Sequence, residues 1–253
     1  VTRPFNTRQL RFYLTAPAPC PYLPGRRERK VFTSLECDDA AGLNESLTQA
    51  GFRRSQNIAY RPACEGCDAC LSARIPVQTF EFTRSRRRIE RLNADVSVSL
   101  RPGRATEEQF WLLKRYLSGR HANGGMNEMN AFDFAAMVEE STVRTHLVEY
   151  RAGPHEDLIG CTLVDVLGDG LSLVYSFYDP RADHRSLGAF MILNHVRQAQ
   201  AAGMAHVYLG YWVRGSDKMD YKARFQPLEL LAGGGWMPFE AWRQQHDGES
   251  GED

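Results

Sequence analysis

The chain has 253 residues, 43% hydrophobic, 25% charged and 11% aromatic, with 31 Lys+Arg balanced by 31 Asp+Glu. That is ordinary globular composition, with room for one large domain or two modest ones. No apolar run is long enough to cross a bilayer, and Val1–Asn6 lacks the apolar core of a secretory signal, so no membrane partner is expected and the cytoplasm is the expected compartment.

The balanced charge conceals a split. Residues 1–104 hold 18 Lys+Arg against 10 Asp+Glu, and residues 105–253 hold 13 against 21. A basic half joined to an acidic half points to an anionic partner for the first part. The six cysteines are Cys20, Cys37, Cys64, Cys67, Cys70 and Cys161. Three of them are too bunched to staple distant segments, so metal, redox or free-thiol roles are expected rather than disulfides.

In chain order, the stretch to about Lys30 is too rich in proline and arginine for regular structure. Val31–Leu35 reads as a short strand and Asn44–Ala50 as a helix stopped by Gly51. The segment from Gly51 to Cys70 sets Arg53, Arg54, Tyr60 and Arg61 before Cys64, Cys67 and Cys70. Thiols at this spacing can converge on one metal, while arginines and an exposed tyrosine suit a phosphate backbone and a base. Arg74–Phe82 alternates as a strand does. In the following basic run, Arg84, Arg87, Arg88 and Arg91 share one face at helical spacing.

A boundary is expected near Arg101–Arg104, giving domains 1–104 and 105–245. Thr106 and Gln109 form a capping box ahead of a helix with Phe110, Leu113, Tyr116 and Leu117 on its apolar face. His121–Met126 reads as a loop and Phe132–Glu140 as a second helix. Strands are expected at His146–Tyr150, Leu158–Leu167 and Leu171–Tyr178, the last two joined as a hairpin through Gly168-Asp169-Gly170. A helix from Leu187 to about Ala202, closed by Gly203, leads to a strand over Ala205–Tyr211. A short helix carrying Lys218, Lys222 and Arg224 follows. Residues 246–253 are acidic and read as a disordered tail. The order predicts an α+β fold with a mainly antiparallel sheet.

Arg185-Ser186-Leu187-Gly188-Ala189 stands between a strand and a helix, where unpaired amides face an anion. It looks like the acyl-donor loop of the GCN5-related N-acetyltransferase (GNAT) fold, with Arg185 and Gly188 matching and Phe190 where a small residue belongs. A bulky residue there is expected to narrow the pyrophosphate site and disfavour coenzyme A.

Further motifs are Cys20-Pro21-Tyr22-Leu23-Pro24-Gly25-Arg26, Gly51-Phe52-Arg53-Arg54-Ser55, Tyr60-Arg61-Pro62-Ala63-Cys64, Ser176-Phe177-Tyr178-Asp179-Pro180, Ser186-Leu187-Gly188 and Met219–Pro227. Together they resemble the aminoacyl-tRNA–protein transferases, from about Phe12 to Leu230, and look closest to the bacterial branch that acts on N-terminal Asp and Glu. The resemblance implies a cysteine-bearing N-terminal domain and an acetyltransferase-like (GNAT-like) C-terminal domain. It implies leucine transfer from leucyl-tRNA to proteins beginning with Asp or Glu, which marks them for degradation. Leucyl-tRNA is then the co-substrate and no DNA partner is expected. Arginyl transfer, a CoA-dependent acyltransferase and a non-catalytic RNA-binding module are the alternatives.

On this resemblance the reacting centre falls near Tyr175, Ser176, Tyr178 and Asp179, with Tyr211 opposite and Asp179 as proton acceptor or turn residue. Arg61, Arg74, Lys222 and Arg224 are the candidates for the acceptor's carboxylate, and Arg185 and Gly188 for the donor. Arg84, Arg87, Arg88 and Arg91 are assigned to tRNA phosphates. No cofactor is required for the transfer. Cys20 with Cys64, Cys67 and Cys70 makes four candidate ligands for zinc or an iron–sulfur cluster, although only Cys20 stands where some eukaryotic relatives show a cysteine pair. Cys37 and Cys161 read as ordinary small residues.

Overall fold

The computed structural model describes residues 10–120 and 128–246. The loop expected at His121–Met126 and residues 247–253 of the tail expected from His246 lie outside them, while His246 itself ends a helix. The first elements are short: β1 (Tyr13–Leu14), β2 (Ala18–Pro19), β3 (Arg27–Glu28) and β4 (Lys30–Ser34). Helix α1 (Ala40–Gln49) begins four residues before the sequence suggests, because Asp39 caps it by accepting from the Gly42 amide at 3.0 Å. Strands β5 (Arg53–Ser55) and β6 (Ile58–Pro62) complete a four-stranded sheet in the order β1-β4-β6-β5.

Strand β7 (Cys70–Pro76) runs earlier than the expected Arg74–Phe82 and ends in a 3-10 turn at Val77–Thr79. Helix α2 (Arg84–Leu92) and strand β8 (Ser97–Pro102) follow. Helix α3 (Glu107–Arg120) opens on the expected capping box, with Thr106 N–H donating to Gln109 Oε1 at 3.0 Å and Gln109 N–H to Thr106 Oγ1 at 3.3 Å. Next come α4 (Ala131–Glu139), β9 (Thr145–Ala152), β10 (Asp157–Val166), β11 (Gly170–Tyr178), α5 (Leu187–Ala201) and β12 (His206–Val213). The helix expected around Lys222 is a 3-10 turn, Asp220–Arg224. A hairpin that sequence reading missed, β13 (Glu229–Ala232) with β14 (Gly235–Pro238), leads into α6 (Phe239–His246).

The main sheet has eight strands in the order β14-β13-β7-β12-β11-β10-β9-β8. Strand β7 sits in its middle, antiparallel to both β12 and β13, and β8 forms one edge. Strands β7 and β8, which precede Arg104, therefore share one sheet with β9–β14. The mixed α/β architecture and the mainly antiparallel sheet are as expected, with β11–β12 as a parallel pair. Helix α5 buries Leu187, Met191, Leu193 and Val196 against Ile75, Val148, Val207 and Leu230. Helices α3 and α4 bury Leu112, Leu113, Leu117 and Phe134 against Leu147, Leu163 and Phe177. No helix among the described residues is long and apolar enough to cross a membrane.

Candidate active site

The parallel strands β11 and β12 pair only over Gly170↔His206, Leu171↔Val207 and Ser172↔Tyr208, then separate. Each carries a bulge where they part. Leu163 faces Tyr175 while Val164 faces Leu173, which leaves Val174 as the extra residue of β11. Tyr208 faces Arg74 while Gly210 faces Ala73, which leaves Leu209 as that of β12. Bulges end ladder pairing and re-aim the backbone. Into the gap comes Arg53 from β5, whose Nη2 donates to the carbonyls of Val174 at 2.8 Å and Leu173 at 3.3 Å. Gly210 (φ +72°) lines the gap, and a Cβ there would overlap the guanidinium. Sequence reading did not assign Arg53 to the site. Its signal lay in the Arg53-Arg54 pair on a strand whose existence was missed.

Of the predicted residues, Tyr178, Tyr211, Gly188 and Lys222 come together around this gap with Tyr116 and Tyr221. The Tyr178 ring lies 5.1 Å from that of Tyr116, and a Cβ on Gly188 would touch Tyr178 at 3.1 Å. Gly188 thus seats the tyrosine against the start of α5, where the Ala189 and Phe190 amides both donate to the Ser186 carbonyl at 3.0 Å. Lys222 is buried and donates to the Tyr211 carbonyl. Burial and the neighbouring Arg53 hold its ammonium well below the usual lysine range.

Other predicted residues are committed elsewhere. Asp179 is buried and caps the turn at Pro180–Arg185, accepting from the Arg181 amide at 2.9 Å and from Arg181 Nη2 at 2.6 Å. Arg181 holds that carboxyl below its ordinary range, which disfavours it as a proton acceptor. Tyr211 keeps its ring beside Arg53 at the gap, but its hydroxyl donates to the carbonyls of Gly51 and Tyr60 at 2.9 and 3.0 Å, a buried structural bond. Ser176 Oγ reaches Thr162 Oγ1 at 3.3 Å across the ladder, and Tyr175 packs with the α3 core. Arg74 pairs with Glu229 at 2.7 Å and stacks on Trp236 at 4.2 Å, so it leaves no free cation for an acceptor. Arg185 grips Asp95 through two bonds of 2.7 and 2.8 Å. Arg224 is exposed, beside α2, where its carbonyl accepts from Arg86. Arg61 is exposed, lies 5.1 Å over Phe52 and borders a separate cleft of about 780 Å³ with Gly51, Cys70, Ser72 and Tyr211. Phe190 points into the core, edge-on to Tyr150, and so does not narrow the helix start as expected.

Arg84, Arg87, Arg88 and Arg91 lie exposed on α2, and none makes an ion pair among the described residues. Arg185 and Asn93 tie the end of α2 to the loop before α5: Asn93 Nδ2 donates to the Arg185 carbonyl at 2.9 Å. The basic face and the start of α5 are therefore held as one unit.

Cys20, Cys64 and Cys67 surround Cys70 closely enough to help burial push its thiol up to about 12. Two of these sulfurs accept from backbone amides, Cys64 from Arg29 and Cys20 from Leu23, both at 3.4 Å. No group of three His, Cys, Asp or Glu side chains stands in metal-holding position among the described residues.

Residues 18–88 match the family model described as "Arginine-tRNA-protein transferase, N terminus", and residues 108–232 match its "C terminus" counterpart. The chain is 61% identical over 240 residues to an aspartate/glutamate leucyltransferase of Phenylobacterium zucineum, covering 93% of both chains. It is 61% identical over 246 residues to one from Caulobacter vibrioides, covering 95% of this chain and 88% of that one. With one from Maricaulis maris the identity is 54% over 253 residues, covering 100% and 99%. Among solved structures, FemX shares the fold at a TM-score of 0.51 and 11% identity, over 85% of this chain and 73% of that one. The chain belongs to the aminoacyl-tRNA–protein transferase family.

Proposed function

We propose that this enzyme moves leucine from leucyl-tRNA to the N-terminal Asp or Glu of acceptor proteins, creating a destabilising N-terminus that marks them for degradation. The observation that carries the reading is the 54–61% identity, over nearly the whole chain, to relatives bearing the leucyltransferase name. The neutral α-amine of the acceptor attacks the ester carbonyl, and a C–N bond forms with a tetrahedral oxyanion. Collapse breaks the C–O bond to the terminal ribose, whose oxygen takes up a proton. The ester is already activated, so no side-chain nucleophile is needed, and catalysis consists of positioning, proton removal and oxyanion stabilisation.

In this reading the exposed arginines of α2 hold tRNA phosphates and deliver the aminoacyl end to the start of α5, beside Gly188 and Tyr178. The splayed β11–β12 pair supports the acetyltransferase-like assignment of the C-terminal part. Asp179 holds the turn ahead of the donor loop. Cys20, Cys64 and Cys67 lie near Cys70 but form no metal-holding group among the described residues, so no step of the transfer is routed through zinc or an iron–sulfur cluster. The cytoplasm is the compartment that supplies this donor.

The family models carry the arginine name, so arginyl transfer is the second reading. One assay separates them: purified protein with leucyl-tRNA, arginyl-tRNA or acetyl-CoA, each labelled on the acyl group, and peptides beginning with Asp, Glu, Lys or Ala. Leucine on the Asp and Glu peptides alone is expected. Arginine there overturns the donor, and acetyl transfer overturns the tRNA reading.

A further inference from the structure

The guanidinium of Arg53 is half-buried, yet it has no carboxylate within ion-pair distance among the described residues. Arg54 is neutralised by Asp165, Arg74 by Glu229 and Arg151 by Glu108 and Glu149, and the half-buried Arg86 spreads both Nη groups over three backbone carbonyls. Only Nη2 of Arg53 is engaged, by the Leu173 and Val174 carbonyls, and Nε and Nη1 have no hydrogen-bond partner among the described residues. The Tyr211 ring lies 5.9 Å from Cζ. A cation withdrawn from water without a counter-charge is costly until an anion arrives. Arg61, also unpaired, is exposed and remains solvated.

Two anions come with the substrates. The tRNA phosphates have the exposed face of α2, and the reacting ester itself is uncharged. The acceptor's first residue carries a carboxylate one side chain away from the attacking amine. A guanidinium fixed in the gap between β11 and β12 matches that group in charge and hydrogen bonding. We propose that Arg53 binds the side-chain carboxylate of the acceptor's N-terminal Asp or Glu and so sets acceptor specificity. The proposal rests on the reaction assigned above.

The test compares wild type, Arg53→Gln and Arg53→Lys with peptides that begin Asp, Glu, Asn or Gln and are otherwise identical. In the transfer assay, Arg53→Gln loses about 100-fold in kcat/KM on the acidic peptides and at most about threefold on the amides, so the preference collapses. Arg53→Lys keeps the charge without the fork and loses about tenfold on the acidic peptides. The KM for leucyl-tRNA stays unchanged. Equal loss on all four peptides, or an intact acid-over-amide preference in both variants, overturns the proposal. Calorimetric binding of the same peptides without tRNA gives a readout independent of transfer. Wild type that prefers the acidic peptides in binding but transfers no leucine overturns the reaction and leaves Arg53 supported. Wild type that transfers leucine while the variants bind acidic peptides as before overturns Arg53 alone. If Arg53→Gln does not fold, Arg53→Lys decides by the same ratio.

Discussion

Gly210 makes room for Arg53. It adopts φ +72°, and the space where its Cβ would stand is filled by the guanidinium. Gly210→Ala therefore meets two separate obstacles. The left-handed backbone costs about 1–2 kcal/mol with a side chain, whatever the surroundings. Displacing the guanidinium adds a second term that exists only while Arg53 is present. Urea unfolding of wild type, Gly210→Ala, Arg53→Ala and the double variant is expected to show Gly210→Ala costing more in the wild type than in the Arg53→Ala background. Equal cost in both backgrounds would mean that the two residues are not coupled.

Arg54, the neighbour of Arg53, fastens the small sheet to the large one. Its Nε and Nη2 donate to Asp165 at 2.6 and 2.7 Å with side chains 1% and 2% exposed, and Thr145 Oγ1 donates to the same carboxylate at 2.7 Å. Arg54→Ala strands a buried carboxylate and is expected to cost about 3–5 kcal/mol. Arg54→Met combined with Asp165→Leu removes both charges and should recover most of that loss. A double variant no more stable than Arg54→Ala would contradict this account. Activity should fall with Arg54→Ala even where the protein stays folded, because β5 also carries Arg53.

His195 makes stability depend on pH. It is 0% exposed on α5; Nδ1 meets the Met191 carbonyl at 2.7 Å and the Tyr150 hydroxyl at 3.3 Å, and Nε2 has no partner among the described residues. Burial lowers its value from 6.5 to about 4. Above pH 6.5 the ring is neutral in both folded and unfolded chains and costs nothing. As pH falls from 6.5 towards 4, the unfolded chain takes the proton and the folded one does not, so up to about 3 kcal/mol of stability is lost across that window. His195→Asn keeps a donor for the Met191 carbonyl and does not titrate. Chemical denaturation at pH 7 and pH 4.5 should show a smaller drop for the variant; an equal drop would place the acid sensitivity elsewhere.

What the sequence made legible follows from local rules. The Thr106–Gln109 capping box, the β10–β11 hairpin and the α5 helix are set by neighbours a few residues apart, and each formed where expected. The place of β7 depends on partners more than 100 residues away in β12 and β13, and no spacing within Cys70–Pro76 reveals them. The same distance hid Arg53, which docks on Leu173 and Val174. Asp179 read as a catalytic carboxylate because its motif is visible, whereas the Arg181 clamp that lowers its basicity is a matter of geometry. Arg74 and Arg185 were legible as cations, but their partners Glu229 and Asp95 were not.

The basic face of α2 offers a contrast between two kinds of arginine. Arg86 is tucked under the helix: Nη1 donates to the Glu81 carbonyl at 2.6 Å, Nη2 to those of Gln226 at 2.6 Å and Arg224 at 3.1 Å, and the group covers Phe80 at 4.1 Å. Arg87 and Arg91 are exposed, and neither forms an ion pair among the described residues. Arg87→Gln with Arg91→Gln should leave the unfolding midpoint and the peptide KM unchanged, raise the KM for leucyl-tRNA, and lower the salt slope of tRNA binding by about 0.7–0.9 for each lost phosphate contact. Arg86→Ala should do the reverse, losing about 1–3 kcal/mol through stranded carbonyls while keeping the salt slope. If the double variant keeps both slope and KM, this face is merely solvated, and the tRNA must reach the start of α5 by another path.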